Sequence, residues 1–254
     1  MNDSPRLLVD CSADVLRVTI NRPEKRNALS LTLLDELGST FREHSKSDIK
    51  CAVLTGAGKR CFAAGGDLKE LDAIRSEADT RAMSARGHAA LDAIRYFPVP
   101  VIGALNGLAL GGGAELAMAC DIRIAAAQAE LGLIQSQLNV TTAWGGGIDL
   151  INAVGNSAAL ALLCSGKRLS AAEALRMCLF EAVAEPDNNF DEFINEFVRG
   201  YTSKGLNVLR TYKATAAARR KRLHDELTDI AREGFISAWT NEDHWEAAAK
   251  ALKK

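Results

Sequence analysis

The sequence predicts an α/β protein in which parallel strands alternate with helices, followed by a largely helical last third. Three observations carry this reading. Short β-branched runs and amphipathic helical patterns alternate through the first half of the chain. Residues 98–121, PVPVIGALNGLALGGGAELAMACD, run from an apolar strand pattern through a glycine triplet into helix-forming residues. After residue 155 strand signals fade, and helical periodicity takes over at 157–164, 170–177, 190–200, 205–219 and 225–238.

In order, residues 15–20 (VLRVTI) alternate like a strand and stop at Asn21-Arg22-Pro23. Ser30 is an N-cap candidate for a helix whose Leu33, Leu34, Leu37 and Phe41 recur at helical spacing. A second strand, 51–55, ends at Gly56-Ala57-Gly58-Lys59. This resembles a phosphate loop but lacks the leading glycine and the hydroxyl residue after the lysine, which argues against a nucleotide triphosphate site. Phe62-Ala63-Ala64-Gly65-Gly66-Asp67-Leu68 reads as a small-residue bend after a strand, and 69–74 begins a helix. Residues 80–95 look helical and stop before Phe97-Pro98. The β-branched run 99–105 reads as a buried strand, and Ile122-Arg123-Ile124-Ala125 as another. Pro186-Asp187-Asn188-Asn189 is the natural junction, dividing the chain into a layered body, 1–186, and a helical C-terminal region, 187–254.

The chain has 254 residues, 31 Lys and Arg against 32 Asp and Glu, and ordinary globular hydrophobicity. That balance gives no electrostatic reason to expect nucleic acid. The stretch 99–120 approaches a membrane span in length, yet its glycines, Asn106 and Glu115 suit a protein core rather than a bilayer. The first residues lack the basic start and apolar core of a secretory signal. Six widely spaced cysteines without a CxxC pair read as reduced, mostly buried thiols of a cytoplasmic protein. No histidine pair has metal-ligand spacing, and no GxSxG elbow is present. His44, His88 and His224 sit in polar helical contexts and read as surface residues, whereas His244, near the C-terminus, is a candidate for a functional role. Arg219-Arg220-Lys221-Arg222 reads as a solvated helix face.

Chemistry concentrates at Gly111-Gly112-Gly113 and Glu115. Glycines at a helix N-terminus leave backbone N–H groups without intrahelical partners, aligned with the positive end of the peptide dipoles, and admit a substrate close to the backbone. Such a place favours an oxygen that gains negative charge during a reaction. Glu115, the one charge in an apolar helix, is either a dipole-stabilised first-turn carboxylate or an acid–base group beside an oxyanion hole.

Residues 62–68 together with 106–116 (NGLALGGGAEL) and Cys120-Asp121 resemble the enoyl-CoA hydratase/isomerase (crotonase) superfamily. Asn21-Arg22-Pro23 with Asn27-Ala28-Leu29, and Ser165-Gly166 with Ala171-Ala172-Glu173-Ala174-Leu175, add to the match, which runs in order along essentially the whole chain. The resemblance implies a spiral of ββα units with a helical C-terminal trimerisation region, as a homotrimer or a dimer of trimers. It implies an acyl-CoA thioester as substrate, with coenzyme A entering as part of it and no permanently bound cofactor. The oxyanion hole falls to the N–H groups of Gly66 and Gly112. Gly66, Asp67, Leu68 and Lys69 line the coenzyme A path with Ala28, and Lys69, Lys25 and Arg26 meet its adenine or phosphate end.

Glu115 matches one of the two catalytic glutamates of the hydratases, and the second position is Gln135. An amide orients groups by hydrogen bonds but shuttles no proton near neutral pH. A single carboxylate suits lyase or isomerase chemistry through a thioester enolate. Trp144-Gly145-Gly146, the GGGAEL run and the tail 239–251 resemble the branch that decarboxylates malonyl-type thioesters, with Trp144 shaping the acyl pocket. A one-glutamate hydratase and a catalytically quiet CoA-binding scaffold are the alternatives.

Overall fold

The computed structural model describes residues 5–252. Strands β1 (Leu7–Ser12) and β2 (Val15–Ile20) form an antiparallel hairpin, and Ser30 caps helix α1 (Leu31–His44) by accepting from the Leu33 N–H. Then follow β3 (Cys51–Gly56), β4 (Cys61–Ala63), a single turn α2 (Leu68–Leu71) and α3 (Glu77–Arg95). The central segment supplies β5 (Val101–Leu105), β6 (Leu108–Leu110) and α4 (Gly112–Ala119), so the stretch before the glycines is a second strand rather than a simple turn. Strands β7 (Ile122–Ala125) and β8 (Glu130–Gly132) lead to α5 (Gly146–Val154) and α6 (Asn156–Ser165). The two-residue strand β9 (Leu169–Ser170), α7 (Ala171–Arg176) and β10 (Ala182–Val183) complete the layered part, followed by α8 (Phe190–Thr202), α9 (Leu206–Trp239) and α10 (Glu242–Leu252).

Two sheets result, in the orders β1-β2-β3-β5-β7-β10 and β4-β6-β8-β9. Every pairing from β2 to β10 in the larger sheet is parallel, as the alternation of strands and helices requires. Consecutive strands β3 and β4, β5 and β6, and β7 and β8 divide between the sheets, so each unit contributes one strand to each layer before its helix. This is the ββα spiral. Strands β3 and β5 are buried along their whole length, which explains why they read as continuous apolar runs. Helix α8 covers one face of the larger sheet, with Ile194 and Val198 packed against Cys51, Val53, Ile102 and Ile124.

Four expectations need correction. Residues 205–219 and 225–238 are one 34-residue helix, α9, because the polar stretch between them carries good helix formers and no breaker. Within its basic run Arg219, Lys221 and Arg222 are exposed, but Arg220 turns inward to Asp149 and Asp121. His88 and His224 are buried, not surface residues, since α3 and α9 pack against each other and the loop before α5. Only Cys51, Cys61 and Cys120 are buried; Cys11, Cys164 and Cys178 are exposed, and all six are free.

Candidate active site

The glycine triplet ends β6 and opens α4, and a second glycine-containing bend leaves β4 beside it. The two bends approach closely: a side chain on Gly65 would stand 3.9 Å from the Gly112 nitrogen, and one on Gly113 would collide with the Ala63 carbonyl. Only glycine permits that approach. Around the 64–67 bend, Leu29 donates to the Gly65 carbonyl at 2.8 Å and accepts from the Asp67 N–H at 2.9 Å. Because successive peptide groups of an extended segment alternate in direction, Gly66 turns its own N–H away from Leu29. Gly112, as first residue of α4, has no carbonyl of its own helix to bond. Among the described residues neither N–H has a hydrogen-bond partner, and both glycines line one cavity of about 170 Å³.

Glu115, one turn into α4, is 1% exposed and borders the same cavity. Its Oε1 accepts from the Ala143 N–H and the Gln135 side chain, each at 3.0 Å, and its Oε2 from the N–H groups of Trp144, at 2.8 Å, and Gly146, at 3.0 Å. Burial pushes its carboxyl above the usual range, and the three backbone donors pull the other way. Gln135 begins a 3-10 turn over 135–138. The carboxylate only accepts, so the amide presents its NH₂ to Glu115, and its buried Oε1 is left without a partner.

Trp144 closes the cavity from the side of α3. Its six-membered ring lies where Gly112 would carry a Cβ and 3.9 Å from where Gly66 would, while its pyrrole edge fills the space a side chain on Gly87 would take. Three glycines from two helices and a bend thus make room for one indole. Its Nε1 is buried without a partner. Leu71, Met83, Val140, Phe235 and Trp239 complete an apolar wall, and His244 joins it from α10. His244 Nδ1 lies 2.7 Å from the Leu138 carbonyl, which fixes the proton on that nitrogen, and burial lowers the pKa of its ring, which stacks 4.6 Å from Trp239.

The structure therefore gathers Gly66, Leu68, Gly112, Glu115, Gln135, Trp144 and His244 at one cavity. Asp67 lies beside it in an ion pair with Arg22 at 2.9 Å, and Arg22 also bonds the Ala28 carbonyl at 2.5 Å, so these residues brace the bend that carries Gly66. Lys25 and Lys69 are exposed, Lys25 standing 4.0 Å from Asp67. Phe235 and Trp239 had no sequence signal beyond i, i+4 spacing on a helix, which does not say which face meets the site. A larger crevice of about 910 Å³ lies at the carboxyl ends of β2, β3, β5 and β7 and includes 56–59; its Arg17 is already bound to Asp191 and Asn195. No group of metal-binding residues occurs among the described residues.

A two-layered ββα spiral with two unpartnered glycine amides and a buried carboxylate at one apolar cavity defines the crotonase class of fold. The enoyl-CoA hydratase/isomerase family model matches residues 10–251, and the chain belongs to that family. It is 33% identical to the crotonyl-CoA hydratase of Syntrophomonas wolfei over 236 residues, 92% of this chain and 90% of that one. It is 36% identical to the short-chain-enoyl-CoA hydratase of Clostridium acetobutylicum over 196 residues, 76% of this chain and 75% of that protein. The crystal structure of an enoyl-CoA hydratase from Bacillus anthracis superposes with a TM-score of 0.80 at 32% identity, covering 98% of this chain and 96% of the other. No helix among the described residues is long and apolar enough to cross a membrane.

Proposed function

We propose that this protein is an acyl-CoA lyase that adds water to, or removes it from, a CoA thioester, using Glu115 as its single proton-transferring side chain. The observation that carries this reading is the pair of acceptors at the cavity, the Glu115 carboxylate and the unpartnered Gln135 Oε1, with no lysine or arginine on the wall among the described residues. Two acceptors suit a molecule with two O–H groups, which is water.

In the hydration direction Glu115 takes one proton from that water while Gln135 Oε1 accepts the other O–H. The oxygen bonds to the β-carbon, and the electron pair of the double bond moves to the thioester oxygen as an enolate. Gly66 and Gly112 N–H groups bind that oxygen more tightly as its charge grows, at the positive end of α4. Protonated Glu115 then delivers its proton to the α-carbon, so the atoms of one water are accounted for. The relatives named as hydratases support the same direction. The acyl end is apolar and small, which fits a short chain. A homotrimer or dimer of trimers in the cytoplasm belongs to the same proposal.

Decarboxylation of a malonyl-type thioester is the second reading, favoured by the amide at position 135 and by Trp144 over the oxyanion glycines. Among the described residues no lysine or arginine lines the wall to pair with a substrate carboxylate facing Glu115, which disfavours it. A panel of crotonyl- and malonyl-type CoA thioesters, followed by water addition and by carbon dioxide release, separates the two. Hydration of crotonyl-type substrates that is lost in Glu115→Gln supports the first reading. Carbon dioxide release without hydration replaces it with the second, and silence across the panel supports the quiet scaffold.

A further inference from the structure

Arg22 does not line the cavity, yet two peptide groups connect its side chain to it. The residue is 9% exposed and fixed in the 22–27 loop: its N–H donates to Asn27 Oδ1 at 3.0 Å, and its carbonyl accepts from the Asn27 N–H at 2.9 Å. Nη1 of its guanidinium donates to the Ala28 carbonyl at 2.5 Å, and Nη2 to Asp67 Oδ2 at 2.9 Å. The Ala28 carbonyl belongs to the same peptide group as the Leu29 N–H, which donates to the Gly65 carbonyl at 2.8 Å. That carbonyl shares its own peptide group with the Gly66 N–H. No peptide among the described residues is cis, so in each group the oxygen and the N–H point in opposite directions, and gripping the one fixes the other.

A line of hydrogen bonds therefore runs from a charged donor through the 28–29 and 65–66 peptide groups to the Gly66 N–H, which has no partner of its own among the described residues. Hydrogen bonds in series polarise one another, and a charged donor makes the strongest first link. The other amide at the cavity draws on a helix instead. The Gly111 carbonyl, in one peptide group with the Gly112 N–H, accepts from the Glu115 N–H at 3.0 Å, at the start of the eight-residue α4. Gly66 is followed only by the four-residue turn α2. We propose that Arg22 is a positioning residue that acts through these two peptide groups, aiming the Gly66 N–H into the cavity and strengthening it as a donor, a role that rests on the reading of Gly66 and Gly112 as the donors to the thioester oxygen.

The alternative is that the Arg22–Asp67 pair merely braces the bend. A brace fails when either partner is lost, so both losses would slacken the hold of Gly66 on a thioester oxygen. Polarisation separates the two partners. The Asp67 carboxylate offsets the guanidinium charge, so neutralising Arg22 weakens the Gly66 N–H as a donor, whereas neutralising Asp67 strengthens it. Asparagine at position 67 keeps an oxygen for Nη2 and removes only the charge. Lys25, the other cation near Asp67, is exposed and 4.0 Å away, where solvent screens it.

The test is difference infrared spectroscopy of butanoyl-CoA, isotope-labelled at the thioester carbonyl and bound at saturation to wild type, Arg22→Gln and Asp67→Asn. This saturated probe cannot take up water, so no turnover is needed. The carbonyl band is expected to fall in frequency on binding to wild type, to fall less in Arg22→Gln, and to fall further in Asp67→Asn, although both variants lower Tm. A shift unchanged in Arg22→Gln, or reduced in both variants, overturns the proposal. No shift in wild type overturns the reading of the two glycines and the role of Arg22 with it, whereas a wild-type shift that Arg22→Gln leaves intact removes Arg22 alone. If Arg22→Gln does not fold, Asp67→Asn decides: a larger shift supports the proposal, and an equal or smaller one overturns it. With a turned-over substrate, Arg22→Gln is expected to lower kcat about fivefold with KM little changed, less than the cost of losing a donor outright.

Discussion

Gln135 donates its side-chain amide to Oε1 of Glu115 over 3.0 Å, so the position where a second carboxylate would stand instead binds the first. Replacing Gln135 with Glu puts two carboxylates within hydrogen-bond distance, and such a pair resists double ionisation. In Gln135→Glu the acid limb of the kcat/KM profile is expected to move to higher pH. Gln135→Met, which removes the unpartnered amide oxygen together with the donor to Glu115, is expected to lower kcat by at least about tenfold without moving Tm by more than a few degrees.

In the proposed hydration Glu115 itself is expected to set the acid limb of the wild-type profile. Burial raises its carboxyl above the ordinary range, and hydration needs it ionised. Activity is therefore expected to fall as pH drops through a value higher than that of an exposed glutamate. Glu115→Gln is expected to lose about 10³-fold or more in kcat at every pH, checked with whichever thioester the wild type hydrates.

Gly112 has no room for a methyl group, since its Cβ position is occupied by the Trp144 ring. Gly112→Ala is expected to displace the indole, tilt the N–H proposed to hold the enolate oxygen, and cost about 10²-fold in kcat. Overpacking adds about 1–3 kcal/mol of lost stability, read by denaturant unfolding.

Trp144 limits the depth of the cavity. Trp144→Ala removes a side chain that is 2% exposed and is expected to cost about 3–5 kcal/mol, leaving space for a longer or branched acyl group. The measurement is the ratio of kcat/KM for a long over a short acyl-CoA, which should rise at least about tenfold; an unchanged ratio places the acyl chain elsewhere.

His88 gives the fold an acid sensitivity. Burial, with the nearby charge of Arg95, pushes its imidazole down to about 4. The unfolded chain takes up the proton near pH 6.5, so stability falls as pH drops from about 6.5 towards 4, by about 3 kcal/mol at most. Glu115, raised by burial, works in the opposite sense over part of that window. The difference between wild type and His88→Gln isolates the histidine: the variant should show the shallower slope in urea unfolding at pH 7 against pH 5.

Much of the site was legible because its parts are local. Glycines at a strand–helix junction with a glutamate in the next turn announce unpartnered amides and a carboxylate, and the two bends carry the family pattern. The strand pairings that bring Gly66 beside Gly112 were not legible from either segment alone, nor was β6, whose three residues are too few for a period to register. The inward turn of Arg220, His88 and His224 escaped because their neighbours in sequence are polar. The burial of Arg220 and His224 depends on Asp149, far away in the chain, which bonds both, whereas His88 is buried with its pKa lowered by burial itself.

The most direct measurement is exchange of the thioester α-proton in deuterium oxide, followed by proton NMR with the substrate the protein turns over. The account predicts solvent deuterium at the α-carbon with wild type, exchange reduced about 10²-fold in Gly112→Ala, and none above background in Glu115→Gln. Exchange that persists at the wild-type rate in Glu115→Gln would contradict it.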